Sequence, residues 1–305
     1  VMPDSKLVLS RTTNIGPFEV GRLAYGCWRF SGSTVADATA KIEAALEIGA
    51  NLVDTAAIYG FGEEGFGAAE AVLGEVYAAQ KGLRQKTVLV TKGGIHPPVP
   101  YDSRASNLIE SCEASLARLK TDVIDVFLVH RPDLLASYDE VAEALTQLRA
   151  AGKIREAGVS NFSHTQIRAL QSKLDFALVA NQPEFSLLAI DPLEDGTLDI
   201  AQELNLAVMA WSPLGGGRLT AVHQPEAGTQ EARVLSVLDG IATREGVGVD
   251  HVALAWVLAH PAVSMALIGT QNVARITDSA KAFDVKLSRQ DWYDVLVAAR
   301  GAPMP

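Results

Sequence analysis

Four side chains in this 305-residue sequence could act together on one proton: Asp54, Tyr59, Lys92 and His130. Three of them close short apolar runs, at 52–54, 88–92 and 123–130, and Tyr59 follows Asp54 by five residues. A phenol has an ordinary pKa of about 10, which makes it too weak an acid to protonate an alkoxide efficiently near pH 7. A neighbouring ammonium favours phenolate and lowers that value, so Lys92 is expected to sharpen Tyr59 as a proton donor. Asp54 would hold Lys92 charged and aimed, and His130 could donate to the same oxygen or share the proton. General acid catalysis of this kind is worth on the order of 10²–10⁴ in rate. It pairs naturally with hydride transfer from a nicotinamide and requires no metal, because the protein supplies orientation and charge.

Such a cluster needs a frame that brings strand ends to one place. Apolar runs at 23–25, 52–54, 88–92, 123–130, 156–160, 178–182, 207–211 and 266–269 read as strands. Between them, amphipathic stretches at 37–46, 68–79, 106–119, 138–150, 163–171, 198–203, 250–258 and 273–282 read as helices. Continuous apolar strands alternating with helices indicate a parallel sheet covered on both faces. Eight such units close into a (β/α)8 barrel, an α/β fold whose functional residues sit at the C-terminal ends of the strands. Those ends carry Asp54, Lys92 and His130, then Ser160-Asn161, Asn181-Gln182 and Trp211-Ser212. The rival is a doubly wound open sheet, marked by G-x-G-x-x-G after the first strand. Here that turn reads Tyr25-Gly26-Cys27-Trp28-Arg29, and the glycine run Gly215-Gly216-Gly217 comes after the seventh strand instead, where barrels often bind phosphate. Ser163 is placed to cap the helix after strand five, Asp102 or Ser103 the one after strand three, and Gly152 to stop the helix at 138–150. The segment 7–20, around Asn14-Ile15-Gly16, reads as a hairpin closing the barrel floor, and 215–228 as irregular.

Composition narrows the class. With 48% hydrophobic and 20% charged residues the chain is globular, and residues 1–305 read as a single domain. A net charge of −10 argues against a nucleic-acid surface, which needs clustered Lys and Arg, but leaves room for a local basic pocket. Two cysteines, Cys27 and Cys112, are too few for a disulfide framework or a zinc site and fit a reduced cytoplasm. No apolar run reaches the roughly 18 residues of a membrane span, and 1–11 has no apolar core of signal-peptide type. A soluble, cytoplasmic protein with no membrane partner is expected; nothing in the sequence demands an oligomer.

The ordered set of motifs resembles the aldo-keto reductase superfamily across nearly the whole chain. The resemblance runs through Gly49-Ala50-Asn51-Leu52-Val53-Asp54-Thr55-Ala56-Ala57-Ile58-Tyr59-Gly60, Val90-Thr91-Lys92 and Asp125-Val126-Phe127-Leu128-Val129-His130-Arg131-Pro132. It continues through Gly158-Val159-Ser160-Asn161-Phe162, Asn181-Gln182 and Ala210-Trp211-Ser212-Pro213-Leu214-Gly215. It is nearest a bacterial branch of oxidoreductases without assigned substrates, through Gly196-Thr197-Leu198-Asp199 and Arg289-Gln290-Asp291-Trp292. The resemblance implies that Asp54, Tyr59, Lys92 and His130 form the catalytic tetrad, with Tyr59 the proton donor. It implies that Ser160, Asn161 and Gln182 bind the nicotinamide carboxamide and that Trp211 stacks on its ring. Gly26 would border the cofactor; Ser212, Leu214, Gly215, Gly217 and Arg218 would follow the pyrophosphate. Gly269, Thr270, Gln271, Arg275, Asp278 and Ser279 would line the adenosine-phosphate end, and Trp28 the substrate pocket.

Two departures from the family pattern bear on specificity. Many members carry a Lys where this chain has Gly269, so one phosphate charge is missing; NADP(H) stays the expected cofactor because the Arg275 fork suits a 2′-phosphate, while NAD(H) stays compatible. The loop 61–67 places Glu70, of the family's E-x-x-L/F-G helix, later after the tyrosine than is common, and its three glycines suggest a mobile rim beside a small carbonyl or sugar substrate. Other readings compete. Taken singly, Asp54 could be a helix cap, Tyr59 and His130 structural residues, and Cys27 a small apolar neighbour of Trp28. His96 reads as a rigid loop element, His251 and His260 as surface or packing residues, and Glu63 and Glu64 as a solvated face. A cofactor-binding regulatory subunit with little turnover would keep the same barrel. A metal-dependent hydrolase would need a cluster of His and Asp ligands that is not evident here.

Overall fold

The computed structural model describes residues 6–305; residues 1–5, part of the stretch expected to lack a leader, lie outside it. A hairpin of β1 (Thr12–Ile15) and β2 (Phe18–Gly21) precedes the barrel. Eight parallel strands then close on themselves: β3 (Leu23–Gly26), β4 (Leu52–Asp54), β5 (Val88–Gly93), β6 (Ile124–Val129), β7 (Ile154–Ser160), β8 (Ala180–Gln182), β9 (Ala207–Ala210) and β10 (Val263–Ile268), with β10 pairing β3. The helices between them are α1 (Val35–Glu47), α2 (Ala68–Ala79), α3 (Ala105–Leu119), α4 (Tyr138–Ala150), α5 (His164–Gln171) and α6 (Thr197–Leu204), followed by α7 (Gln230–Glu245), α8 (Val249–Ala259), α9 (Val273–Asp278) and α10 (Arg289–Arg300). The expected (β/α)8 barrel is therefore present.

Closure divides the apolar residues into two cores, as alternating strand faces require. Inside the barrel lie Ala24, Leu52, Val88, Val90, Val126, Leu128, Met209, Met265 and Leu267. Ile15 and Val20 of the hairpin join this inner cluster, so β1 and β2 plug the floor as expected. Asn51 ties the plug down: its Oδ1 accepts from the Gly21 amide at 2.9 Å and its Nδ2 donates to the Glu19 carbonyl at 3.2 Å. The opposite strand faces pack on the helices through residues such as Val53, Leu89, Phe127 and Val159.

The helix boundaries carry the expected punctuation with local corrections. Ser163 caps α5 in a reciprocal box with Gln166, and Gly152 follows α4 with φ +69°. Arg104, not Asp102 or Ser103, is the N-cap of α3; Asp102 Oδ1 instead accepts from the Arg104 amide at 3.2 Å, and the Ser103 amide is held by Asp133. Helix α7 was not foreseen, although Thr229 caps it, Gly246 stops it and Val234, Leu238, Ile241 and Ala242 give it a buried stripe. The glycine- and proline-rich run before it hides its start. Helix α10, seen in sequence only as a motif, likewise packs Val295, Leu296 and Ala299 inward. The stretch 273–282 is not one helix: it is α9 and then a 3₁₀ segment, Ser279–Asp284. Among the described residues no helix is long and apolar enough to cross a membrane.

The approach of α2 to α3 fixes the loop that bears Tyr59. Gly74 lies so close that an added Cβ would run into the Arg118 carbonyl oxygen. Gly74→Ala is therefore expected to destabilise the fold by about 1–3 kcal/mol, the usual range for overpacking. Thermal denaturation checks this, with Gly240→Ala in the interior of α7 as the control: its Cβ would meet open space, and it should raise stability by about 0.5–1 kcal/mol.

Candidate active site

Strand register brings the four proton-handling residues to one end of the barrel. Asp54 closes β4, Lys92 lies one residue from the end of β5, and His130 follows β6, its amide donating to the Gly93 carbonyl at 2.9 Å. Lys92 has no exposed surface. Its ammonium has three protons and no lone pair, and all three find acceptors: Asp54 Oδ2 at 2.7 Å, the Thr55 carbonyl at 2.9 Å and Tyr59 Oη at 3.0 Å. The other Asp54 oxygen accepts from Gln182 Nε2 at 2.8 Å. Because Lys92 donates to Tyr59, the phenol keeps its own proton for a different acceptor. The His130 ring meets the Tyr59 ring edge-on, 6.0 Å between centroids.

The electrostatics correct one expectation from the sequence. Burial pushes the Tyr59 phenol above its ordinary value; Lys92 pulls it down, Asp54 pushes it up, and the net direction is upward rather than the lowering expected. Desolvation outweighs the ammonium because Lys92 is itself shared with Asp54. For Lys92, burial opposes the charge, but Asp54 and Tyr59 together hold its value above that of a free lysine. His130 is driven well below the ordinary imidazole range by burial, then by Lys92 and Arg131. At neutral pH the site therefore contains a neutral phenol, a charged lysine and a neutral imidazole: donors, with the one cation held behind them.

Beside this group stand the residues expected to hold a nicotinamide. Trp211 Nε1 donates to Asn161 Oδ1 at 3.0 Å, and Asn161 Nδ2 donates to Ser160 Oγ at 2.9 Å. Ser160 Oγ in turn donates to the Gln182 carbonyl at 2.9 Å. Asn161 takes a left-handed φ of +59°, which turns its side chain back across the strand end. The chain of bonds fixes the Trp211 plane. Gln182 has a second engagement: its Nε2 donates to Asp54, which leaves its Oε1 to accept from a carboxamide.

The expected phosphate-binding segments lie after β9 and β10. Ser212, Gly215, Gly216 and Gly217 all have positive φ, and an added Cβ at Gly216 or Gly217 would meet nothing within 4 Å, so this backbone is open to a ligand. Leu214 precedes the turn, and Arg218 closes it by donating from Nε to the Gly215 carbonyl while pairing with Glu231. Across the mouth, Gly26 and Gly269 have no close neighbour, the nearest atoms to their Cβ positions lying at 3.5 and 3.9 Å. Tyr25 Oη donates to the Thr270 carbonyl at 3.1 Å. Arg275 is exposed, and among the described residues no carboxylate pairs with it. Asp278 is otherwise engaged, 2.6 Å from Lys281 Nζ and 3.0 Å from His251 Nε2, and Ser279 Oγ donates to the Arg275 carbonyl. The open glycine backbone, the fixed indole and the unengaged Arg275 fit a phosphorylated dinucleotide.

The rim that the sequence suggests is mobile is folded into turns. Gly60, Gly62, Gly65 and Gly67 take φ between +81° and +120°, folding 61–67 into consecutive turns. Phe66 then anchors the fold, stacked on His96 (6.2 Å) and capped by the Arg118 guanidinium (5.6 Å). Arg118, which the sequence did not single out, also binds the fully buried Glu70 at 2.7 Å, and Glu70 accepts from Thr91 beside Lys92. Trp28 is 59% exposed and Phe61 57% exposed, so both offer aromatic surface to the mouth. Cys27 and Cys112 are buried. Among the described residues no group of three His, Cys, Asp or Glu could hold a metal ion.

Comparison with known proteins agrees with this geometry. The model of the aldo/keto reductase family matches residues 22–296. A protein of Novosphingobium aromaticivorans named 6-dehydroglucose reductase is 50% identical over 289 residues, covering 94% of each chain. Another of that name, from Agrobacterium fabrum, is 41% identical and covers 93% of this chain and 95% of its own. The oxidoreductase YdhF of Escherichia coli is 36% identical, covering 95% and 97%. A crystal structure of a thermostable aldo-keto reductase bound to the inhibitor epalrestat superposes with a TM-score of 0.80 at 26% identity, covering 94% of this chain and 99% of that one.

The depressed His130 has a consequence for stability. Unfolding releases the imidazole to its ordinary value, so below about pH 6.5 the unfolded chain binds a proton that the folded chain refuses. Stability should fall as pH drops through that window, and His130→Gln should flatten the slope between about pH 6.5 and pH 5. Urea titrations at stepped pH check it; identical slopes for the two proteins would remove His130 as the source.

Proposed function

The chain belongs to the aldo/keto reductase family, and within it we propose that it is an NADP(H)-dependent oxidoreductase that reduces aldehydes or ketones, with a sugar aldehyde as its preferred substrate. One observation carries the chemistry: Lys92 spends its protons on Asp54, Thr55 and Tyr59, so the Tyr59 proton is left to serve a substrate oxygen. The sugar preference is supported by two relatives named for reducing 6-dehydroglucose, a glucose oxidised at C6.

The cofactor would be held by Ser160, Asn161 and Gln182 at its carboxamide, Trp211 at its ring, Ser212 to Arg218 at its pyrophosphate and Arg275 at its 2′-phosphate; when bound it supplies the hydride. Tyr59 and the neutral His130 donate hydrogen bonds to the carbonyl oxygen, and Tyr59 gives up its proton as negative charge develops there. Loss of that proton leaves a phenolate 3.0 Å from the Lys92 ammonium, which stabilises the charge most when it is largest. Asp54 keeps the ammonium from drifting toward the phenol by holding it from behind. In the alcohol-oxidising direction the same atoms run in reverse, with Tyr59 as base. The barrel 22–296 acts as one unit in this scheme, and Trp28 and Phe61 face the substrate.

The test is an activity matrix, NADPH and NADH against aldehydes, ketones and sugar aldehydes, followed by loss of NADPH absorbance. Tyr59→Phe should lower kcat by about 10²–10⁴ while leaving NADPH affinity unchanged, since only the transferable proton is removed. Because the phenol is raised above its ordinary value, wild-type reduction should be flat through neutrality and decline only in strongly alkaline buffer. Undiminished turnover by Tyr59→Phe would overturn the assignment.

A further inference from the structure

We propose that Lys41, a lysine buried in α1, supplies the positive charge that Gly269 lacks, and that it thereby selects the 2′-phosphate of NADP(H) over NAD(H). The inference rests on the cofactor reading above and adds a residue that the family pattern does not assign to it.

Lys41 is only 8% exposed, yet no carboxylate among the described residues pairs with it. Its Nζ donates to Gln271 Oε1 at 2.9 Å and lies 5.8 Å from the centre of the Phe30 ring. Both partners are neutral. A buried ammonium is normally balanced by an anion, because hydrogen bonds to neutral groups recover only part of the lost hydration. Two other enclosed cations show that balance, Lys92 with Asp54 and Arg84 with Asp125, while Arg22 is held by three backbone carbonyls, an enclosure that Lys41, with one side-chain amide, does not have. Lys41 instead points its charge at the segment between β10 and α9.

That segment collects further positive charge. Arg29 Nη1 donates to the Gly269 carbonyl at 3.2 Å, and Arg275 is exposed on the first turn of α9. The acid that could cancel these charges, Asp278, is taken up by Lys281 and His251. Three cations, Arg29 from the turn after β3, Lys41 from α1 and Arg275 from α9, therefore gather at the segment 269–275, and among the described residues none is paired with a carboxylate. A dianionic phosphate there would satisfy the buried ammonium, and two of its oxygens suit the planar fork of Arg275. Lys41 reaches this place from the helix, which explains how a glycine can stand at 269.

The experiment is calorimetric titration of wild type, Lys41→Met, Lys41→Gln and Lys41→Arg with NADP⁺, NAD⁺, 2′,5′-ADP and 5′-AMP. Lys41→Met and Lys41→Gln should weaken NADP⁺ and 2′,5′-ADP about ten- to a hundredfold, the range for losing one hydrogen bond to a charged group, and leave NAD⁺ and 5′-AMP within about twofold. Lys41→Arg should retain much of the preference. The ligand-free Lys41→Met protein should melt no lower than wild type, since it loses an unbalanced buried charge, while its stabilisation by NADP⁺ shrinks. Equal weakening of both dinucleotides would mean that Lys41 only orders Gln271, and would overturn the proposal. So would an unchanged NADP⁺ preference in Lys41→Met, which leaves the cofactor reading standing. Failure of wild type to bind either dinucleotide would bring down both.

Discussion

A lysine with no exposed surface lies at the centre of the barrel mouth, and its charge survives there only because Asp54, the Thr55 carbonyl and Tyr59 accept all three of its protons. Transfer of an isolated ammonium to such a place would cost several kcal/mol, so the group is stable only as a fully satisfied unit. That requirement reaches outward. Asp54 must be fixed, and Gln182 fixes it from β8 on the far side of the barrel. Gln182 is fixed in turn through its carbonyl by Ser160, which Asn161 and Trp211 extend to the expected nicotinamide face. One buried charge thus links residues from five strand ends, and a disturbance at any of them reaches the phenol.

This linkage explains what could and could not be read from sequence. The strands were legible because a barrel buries both of their faces and leaves nearly continuous apolar runs, and the convergence of Asp54, Lys92 and His130 was legible because they end those runs. The direction of the Tyr59 shift was not. A pairwise view of Tyr59 beside Lys92 gives a lowered value, whereas the real sum includes the burial of the phenol and the Asp54 charge behind the amine. The second engagement of Gln182 was hidden for the same reason. Its type suits a carboxamide, but its position on β8 puts Nε2 against a carboxylate that the sequence places 128 residues away.

Loops were the other gap. Each of the three glycines in 61–67 marks a turn with positive φ, and the packing around them comes from Phe66, Arg118 and His96, which lie on three separate segments. Helix α7 shows the complementary difficulty: its own cap and stripe are ordinary, but the irregular glycine-rich run ahead of it masks its start. The N-cap of α3 slipped past Asp102 because that side chain binds the Arg104 guanidinium as well as its amide. In each case local chemistry was readable and the competing partner was not.

The mouth is built in two halves of opposite character. Most of the large exposed apolar side chains on the loops after the strands, namely Trp28, Phe61, Phe66, Val99, Leu134 and Leu135, follow β3, β4, β5 and β6, which are consecutive around the barrel, while only Val222 and Val273 follow β9 and β10. Arg29, Lys41 and Arg275 gather instead where β10 meets β3, in a protein whose net charge is −10. An acidic surface repels anions in general, so a confined cationic seam admits one only where neutral donors and shape also match. The apolar half offers aromatic faces to a sugar ring or an alkyl chain. On the reading proposed above, the dinucleotide and the carbonyl compound therefore approach the Tyr59 proton from different sides, each drawn by a surface that does little for the other. A barrel can maintain that division because its loops vary independently while the strand ends beneath them stay in register.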